Sequence, residues 1–484
     1  MRSRGAMLVL AFGAAGLGAA GCRTAAGPLL PDAVSIVEGA TAPGVLVDTT
    51  EDSFTASLGR AHWRLRDERT GNGNFWDDIS RLDVNSADRD ATDVDERTFV
   101  AALRSLMTGD PEGASVAFGV LREQAHDSSV RARARVGLTM ALTWSSDWNS
   151  IAALPPARQD SLEWAGADSL APHTTVDRWA RAFAGLPPAS VTVPAEPSIV
   201  TLRRSSMGTP IVRVRINGHP HEFWLDTGAS MTIVSSDVAR SDGVKLAAHD
   251  TLALGVVGGN IAARAVYIDS LSVGRFVAHG VTAALVSGSM LRLDYRMEDG
   301  QNIPVHIDGV LGSDLLRHMD LVIDADAGTV SISRPRRDPH AVRNLFWIGF
   351  PVVRLVSHDG RPLLFGLDTG AESTFVTKDL LHKLPRTRVA ARRGRMNGLG
   401  DHSERTEWVA REIAMSDGEY AINLHSAPIA PDRHWTFVTF DGIIGSDIAL
   451  GTRLHLDFQN GVFDIRPTDA PPPQPYIRVL STPE

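Results

Sequence analysis

The feature that most constrains this chain is a stretch it contains twice. Phe223-Trp224-Leu225-Asp226-Thr227-Gly228-Ala229-Ser230 returns as Phe365-Gly366-Leu367-Asp368-Thr369-Gly370-Ala371-Glu372. In each copy an apolar, strand-like run ends on an aspartate, followed by a small polar residue and a glycine that permits a tight turn. The surroundings repeat too. Pro210 to Val214 precedes the first copy and Pro351 to Leu355 the second, and each leads into a favoured hairpin dipeptide, Asn217-Gly218 and Asp359-Gly360. Downstream, Asp308 to Asp314 reads Asp-Gly-Val-Leu-Gly-Ser-Asp, and Asp441 to Asp447 reads Asp-Gly-Ile-Ile-Gly-Ser-Asp. Further hairpins follow, Leu321 to Ile332 and Leu454 to Ile465. Asp226 and Asp368 stand 142 residues apart, whereas Gly312 and Gly445, and Asp324 and Asp457, stand 133 apart. The first copy thus carries nine extra residues ahead of its Asp-Gly-Val-Leu-Gly stretch. Two like β lobes are expected, each delivering one carboxylate at the mouth of a turn, where it can do proton chemistry. Ordinary strand-to-turn aspartates are the plainer reading of either copy alone.

The ordered set of motifs resembles the retropepsin-type aspartic proteases over about residues 198–467. In that family two lobes pair about a two-fold axis and their Asp-Thr-Gly loops meet. The resemblance implies an all-β bilobal acid-protease fold supplied by one chain, with Asp226 and Asp368 as a catalytic dyad sharing a proton. It also implies that Thr227 and Thr369 exchange hydrogen bonds across the interface, while Gly228 and Gly370 let the backbone approach the carboxylates. Gly258, Gly259, Gly398 and Gly400 are flap candidates, 32 and 30 residues beyond their aspartates for the leading glycine of each pair; a plain hairpin turn is the alternative. Ala229 and Ala371 replace the Ser or Thr of pepsin-like lobes. Alanine donates no side-chain hydrogen bond to an anionic dyad, so an optimum less acidic than that of a gastric enzyme follows. Ser230 and Glu372 make the lobes chemically unequal. No cofactor and no metal are implied, and the sequence has no His-Glu-x-x-His, paired Cys-x-x-Cys, P-loop or Gly-x-Ser-x-Gly motif. The implied partner is a peptide or protein substrate.

The 484 residues exceed one typical domain. Arg2 and Arg4, then an apolar run from Ala6 to Ala20, read as an export signal over 1–21. It ends in Leu17-Gly18-Ala19-Ala20-Gly21-Cys22, which resembles a bacterial lipobox. Cys22, the only cysteine, therefore reads as a lipidation site rather than a buried small hydrophobe. By resemblance to bacterial lipoproteins, Arg23 after it favours the outer membrane, with the body facing the periplasm. A net charge of −9 gives no electrostatic reason to expect nucleic acid.

Residues 22–50 read as a tether. Residues 51–190 read as a helical domain, with helix starts at Asp110-Pro111-Glu112 and Asp127-Ser128-Ser129 and a face resembling a tetratricopeptide-type hairpin. A calcium loop over Asp83 to Asp88 is rejected for want of the glycine and the closing glutamate. Residues 187–197 read as a proline-rich linker, 198–335 and 343–467 as the two lobes, and 468–484 as a proline-rich tail. His219 and His221 read as exposed beside their turn. Arg386, Arg388, Arg392, Arg393 and Arg395 read as a solvated strand edge rather than a site for acidic substrates. The fold class is thus multidomain, α then β. Alternatives to an endopeptidase are a catalytically silent peptide-binding module, or an interaction lipoprotein engaging a protein partner through its helical domain.

Overall fold

The computed structural model describes residues 56–61, 63–65, 74–155, 176–204, 209–256, 259–296, 302–384, 386–398, 401–430, 433–435, 437–449 and 451–468. Cys22, Gly258, Gly400 and residues 469–484 lie outside them. A helical region comes first and a β-rich region follows. A short strand, β1 (Ala56–Arg60), precedes the helices α1 (Phe75–Ser80), α2 (Val84–Asp90), α3 (Val94–Met107), α4 (Pro111–Gln124), α5 (Ser128–Trp144), α6 (Trp148–Ala153) and α7 (176–183).

Aspartates set the helix starts. Asp83, Asp93, Asp110, Asp127 and Asp147 each accept a hydrogen bond from an N–H of the first turn, filling a donor that the helix itself leaves unpaired. The Asp83 to Asp88 stretch is therefore a capped helix. One face each of α3 and α4 buries Phe99, Leu103 and Leu106 and Ala114, Phe118 and Leu121, with the Phe99 and Phe118 rings edge to face at 5.3 Å.

The first lobe builds its centre from β2 (Pro210–Ile216) and β3 (His219–Leu225), joined at Asn217 and Gly218 with φ of 50° and 92°. That pair of positive values is the one an Asn-Gly hairpin turn uses. Strand β4 (Ile233–Ser235) follows, then β5 (Leu252–Val256) and β6 (Gly259–Val273), a hairpin closed between Val256 and Gly259. Next come β7 (Phe276–Val286), β8 (Gly309–Leu311), and the hairpin of β9 (Asp320–Asp324) with β10 (Thr329–Ser333). The second lobe repeats the plan. Strands β11 (Pro351–Ser357) and β12 (Pro362–Leu367) form its opening hairpin, and β13 (Phe375–Thr377) follows. Then β14 (Arg388–Gly398) and β15 (Asp401–Ser416) close a hairpin between Gly398 and Asp401. The lobe ends with β16 (Tyr420–Ala430), β17 (Gly442–Ile444), and the hairpin of β18 (Thr452–Asp457) with β19 (Val462–Pro467). In both lobes the strand that carries the aspartate runs parallel to the strand before Gly-Ser: Phe223 faces Gly309, and Phe365 faces Gly442.

The lobes share a sheet. β9 pairs antiparallel with β18 in a register that sets Asp320 against Asp457, Val322 against His455 and Asp324 against Arg453. Val322 and His455 are counterparts in the repeat, so the axis relating the lobes passes between them. The helical region docks on both lobes. Trp148 Nε1 donates to Thr282 Oγ1 at 3.2 Å, and Arg317 Nη2 to Ser146 Oγ at 2.8 Å. On the other lobe Arg354 Nη2 donates to the Leu82 carbonyl at 2.7 Å, and the Trp144 and Trp347 rings meet at 5.0 Å.

Three local expectations change. The stretch read as helical includes β1, which extends the second lobe's sheet by pairing with β16 from Tyr420 to Leu424. The proline-rich linker contains a strand, Ser190–Thr192, paired with β7. His221 is largely buried and binds the Asp242 carboxylate, whereas His219 is exposed. Among the described residues no helix is long and apolar enough to cross a membrane.

Candidate active site

Each Asp-Thr-Gly loop is hung from the strand behind it. The Asp226 N–H donates to the Leu311 carbonyl at 3.0 Å, and the Asp368 N–H to the Ile444 carbonyl at 2.9 Å. The loop then folds back on its own carboxylate. Asp226 Oδ1 accepts from the N–H groups of Gly228 (2.8 Å) and Ala229 (3.1 Å); Asp368 Oδ1 accepts from Gly370 and Ala371, both at 3.0 Å. One oxygen of each carboxyl is thereby fixed, and the other, Oδ2, points elsewhere.

The threonines tie the loops together. Thr227 N–H donates to Thr369 Oγ1 and Thr369 N–H to Thr227 Oγ1, each at 3.0 Å. Thr227 Oγ1 donates onward to the Leu367 carbonyl at 2.9 Å, and Thr369 Oγ1 to the Leu225 carbonyl at 2.8 Å. Four buried bonds thus cross between lobes in a symmetric set. The glycines bring the carboxyls close. A Cβ on Gly228 would stand 2.4 Å from Asp368 Cγ, and one on Gly370 2.4 Å from Asp226 Cγ. Neither glycine has the left-handed backbone that a turn glycine supplies. Its missing side chain, not its conformational freedom, is what the site uses.

Asp226 and Asp368 are wholly buried, and each carboxyl lies against the glycine of the other's loop. Neither Oδ2 receives a hydrogen bond from an N–H or O–H of the described residues. Were both ionised, two buried oxygens would stand without a donor; one proton held between the neighbouring carboxyls relieves that. Burial raises both pKa values. For Asp368 the negative charge of Asp226 pushes further, well above the ordinary carboxyl range. For Asp226 the neighbouring Asp368 carboxyl and the bonds from the Ala229 and Gly228 amides hold the rise back.

A supporting layer emerges that the sequence reading did not single out. Thr232 and Thr374 each lie six residues beyond their aspartates. Thr232 Oγ1 donates to Asp314 Oδ1 at 2.9 Å and Thr374 Oγ1 to Asp447 Oδ1 at 2.6 Å. The Ser313 and Ser446 amides donate to the Ala229 and Ala371 carbonyls, both at 2.7 Å. The two Gly-Ser-Asp motifs therefore brace the aspartate loops from behind, and the shared six-residue spacing was the signal available for it.

Of the flap candidates, Gly259 opens β6 and Gly398 ends β14, so each flanks a hairpin tip. Among the described residues no three His, Cys, Asp or Glu side chains converge as a metal site would require.

Residues 212–315 match the aspartyl protease family model. A search of curated proteins finds no match. Solved structures similar to this chain include a retropepsin-like aspartic protease from Rickettsia conorii, at 17% identity over 31% of this chain and 97% of that one, with a TM-score of 0.20. They also include an aspartic proteinase from Irpex lacteus, at 10% identity over 57% and 98%, TM-score 0.36. A third is Basic 7S globulin from soybean, at 8% identity over 55% and 94%, TM-score 0.30. The family match spans the first Asp-Thr-Gly loop and the Gly-Ser-Asp brace behind it, and it supports an aspartic-protease-type first lobe, whose plan the second lobe repeats.

Proposed function

We propose that this chain is an aspartic endopeptidase that hydrolyses peptide bonds with a water activated between Asp226 and Asp368. The observation that carries the reading is two buried carboxyls brought together by threonine-tied loops, each lying against the other loop's glycine with one oxygen fixed by its own loop amides. Two acids so close share one proton, and aspartic proteases are the established case of that arrangement. The ionised carboxylate takes a proton from the water as its oxygen attacks the scissile carbonyl. The protonated carboxyl donates to the carbonyl oxygen. The tetrahedral diol then collapses: one hydroxyl returns its proton to the ionised carboxylate as the C–N bond breaks, and the other carboxyl passes its proton to the leaving amine. The pair ends with one proton, as it began.

The working form is singly ionised, so activity rises with pH as the first proton leaves and falls as the second leaves. Both pKa values are raised by burial. Cleavage of a mixed peptide library across pH 3–8 is therefore expected to rise through an acidic limb above about pH 4, the ordinary carboxyl value. A maximum well below that pH overturns the assignment of the dyad as the titrating machinery.

We also propose export and lipid attachment at Cys22, supported by the charged start, the apolar run and the lipobox-like Leu17 to Cys22. Metabolic labelling with an alkyne fatty acid is expected to mark the wild type and not Cys22→Ala. Equal labelling of both would remove the anchor.

A further inference from the structure

The strands around the dyad bury both of their faces, and the two faces go to different places. Alternate residues of a strand point to opposite sides. Leu225, Val234 and Leu311 of the first lobe, and Leu367, Val376 and Ile444 of the second, join the apolar interior shared by the lobes. Their neighbours Trp224, Ile233 and Val310, and Phe375 and Ile443, point the other way. So do Ala229 and Ala371, which adjoin the aspartates in their loops. On the endopeptidase reading this second face, continuous with the alanines that follow each Asp-Thr-Gly, is the one a substrate would meet. It is buried in one continuous apolar cluster with Phe99, Leu103 and Phe118 of the helical region. The Phe99 ring stands edge-on to Phe437 of the second lobe at 5.6 Å. Both aspartates have 0% of their surface exposed.

The hairpin of β5 and β6 is held in the same way. Trp179 Nε1 on α7 donates to the Ala253 carbonyl at 2.8 Å, and Arg178 Nη2 to the Thr251 carbonyl at 3.1 Å. Leu252 and Leu254 of that hairpin are buried in the cluster that contains Trp179 and Phe183. The flap-candidate hairpin is thus fastened by its backbone to the helical region, and as a flap it would have to lift to admit a peptide.

We infer that the helical region is an autoinhibitory cap: it packs on the substrate-facing side of both lobes, fastens the β5–β6 hairpin through Trp179 and Arg178, and keeps the full chain latent until that contact opens. The inference rests on the endopeptidase reading for its consequence, but the occlusion itself is measurable without catalysis.

The test uses the full chain and compares wild type with Trp179→Phe and with Trp179→Ala/Arg178→Ala. Phenylalanine keeps most of the buried ring and deletes the donor, so it guards against a variant that fails to fold. Three readouts are taken: esterification of Asp226 and Asp368 by a small epoxide, mapped by mass spectrometry; amide hydrogen exchange over 252–256; and cleavage of a mixed peptide library. Trp179→Phe is expected to speed labelling and exchange roughly fivefold to tenfold, the change in an opening equilibrium on losing one neutral hydrogen bond. The double variant is expected to exceed that, and cleavage to rise in parallel. Wild type that is labelled and exchanges as fast as both variants overturns the cap. Faster labelling and exchange with no cleavage in any variant upholds the cap and overturns the endopeptidase reading.

Discussion

On the endopeptidase reading, asparagine at position 226 or 368 is expected to cut peptide hydrolysis to a trace. The expected fall in kcat is about 10²–10⁴-fold or more, the range that one positioned acid or base contributes. It is measured in wild type and in the Trp179→Phe background, so that a closed cap is not mistaken for a dead site. Asparagine preserves the shape and still accepts from the loop amides through one oxygen. It neither takes the water proton nor shares one with its partner. Cleavage that survives both substitutions sinks the mechanism. Stability moves the other way. In the unfolded chain these acids ionise near their ordinary values, about 4. The folded chain holds its protons to higher pH, because burial raises both groups. Folding is therefore most favoured, as far as this pair is concerned, below the unfolded value, and loses that contribution as pH rises through the window up to the raised values. Asn at either position flattens this slope, so the variant unfolds at higher denaturant than wild type at neutral pH.

A second large effect comes from a single methyl group. Gly370→Ala or Gly228→Ala sets a Cβ 2.4 Å from the carboxyl carbon of the opposite aspartate. That carboxyl has no free swing, because Oδ1 is held by two amides on its own loop. Relief requires the loops to part, which strains the threonine bonds that join them. A displacement on the order of 1 Å at reacting groups costs about 10²-fold, and a fall of that size in kcat is expected. A loss confined to the carboxyl pair is expected to leave KM far less changed. Wild-type kcat in either variant would show that the carboxyls do not work as a close pair.

The sequence disclosed the site better than it disclosed the site's surroundings, and the reason is locality. Asp226, Thr227 and Gly228 act through contacts within a few residues and through an identical second copy, so their pattern is written twice in adjacent letters. The Gly-Ser-Asp motifs were visible as a repeat, though the bonds from Thr232 to Asp314 and Thr374 to Asp447 span more than 70 residues. The placement of the helical region had no such mark. Ile233, Val310 and Leu254 read as ordinary strand residues, and nothing in their order tells which face meets a lobe interior and which meets a helix. β1 was missed for a related reason. Its Ala-Ser-Leu-Gly-Arg has no β-branched residue, and its partner strand lies at the far end of the chain. The close approach expected of Gly228 and Gly370 is specific: a Cβ on either would stand 2.4 Å from the opposite carboxyl carbon, and neither backbone is left-handed.

The pairing of β9 with β18 has a consequence for how such a molecule evolves. Where two equal halves meet on their symmetry axis, a residue faces its own counterpart, and in an assembly of identical chains the two must be alike. Here Val322 faces His455, and the imidazole Nε2 is bonded to Asp320 Oδ1 at 2.7 Å on one side of the axis only. That inequality is open only to halves joined in one polypeptide. Once joined, a mutation alters one wall without altering its mirror image, as Ser230 and Glu372 already do. One half is also free to recruit a helix that its twin does not bind. Fusion thus releases each lobe from self-complementarity, and a peptide lying across the pair meets different chemistry to its left and to its right.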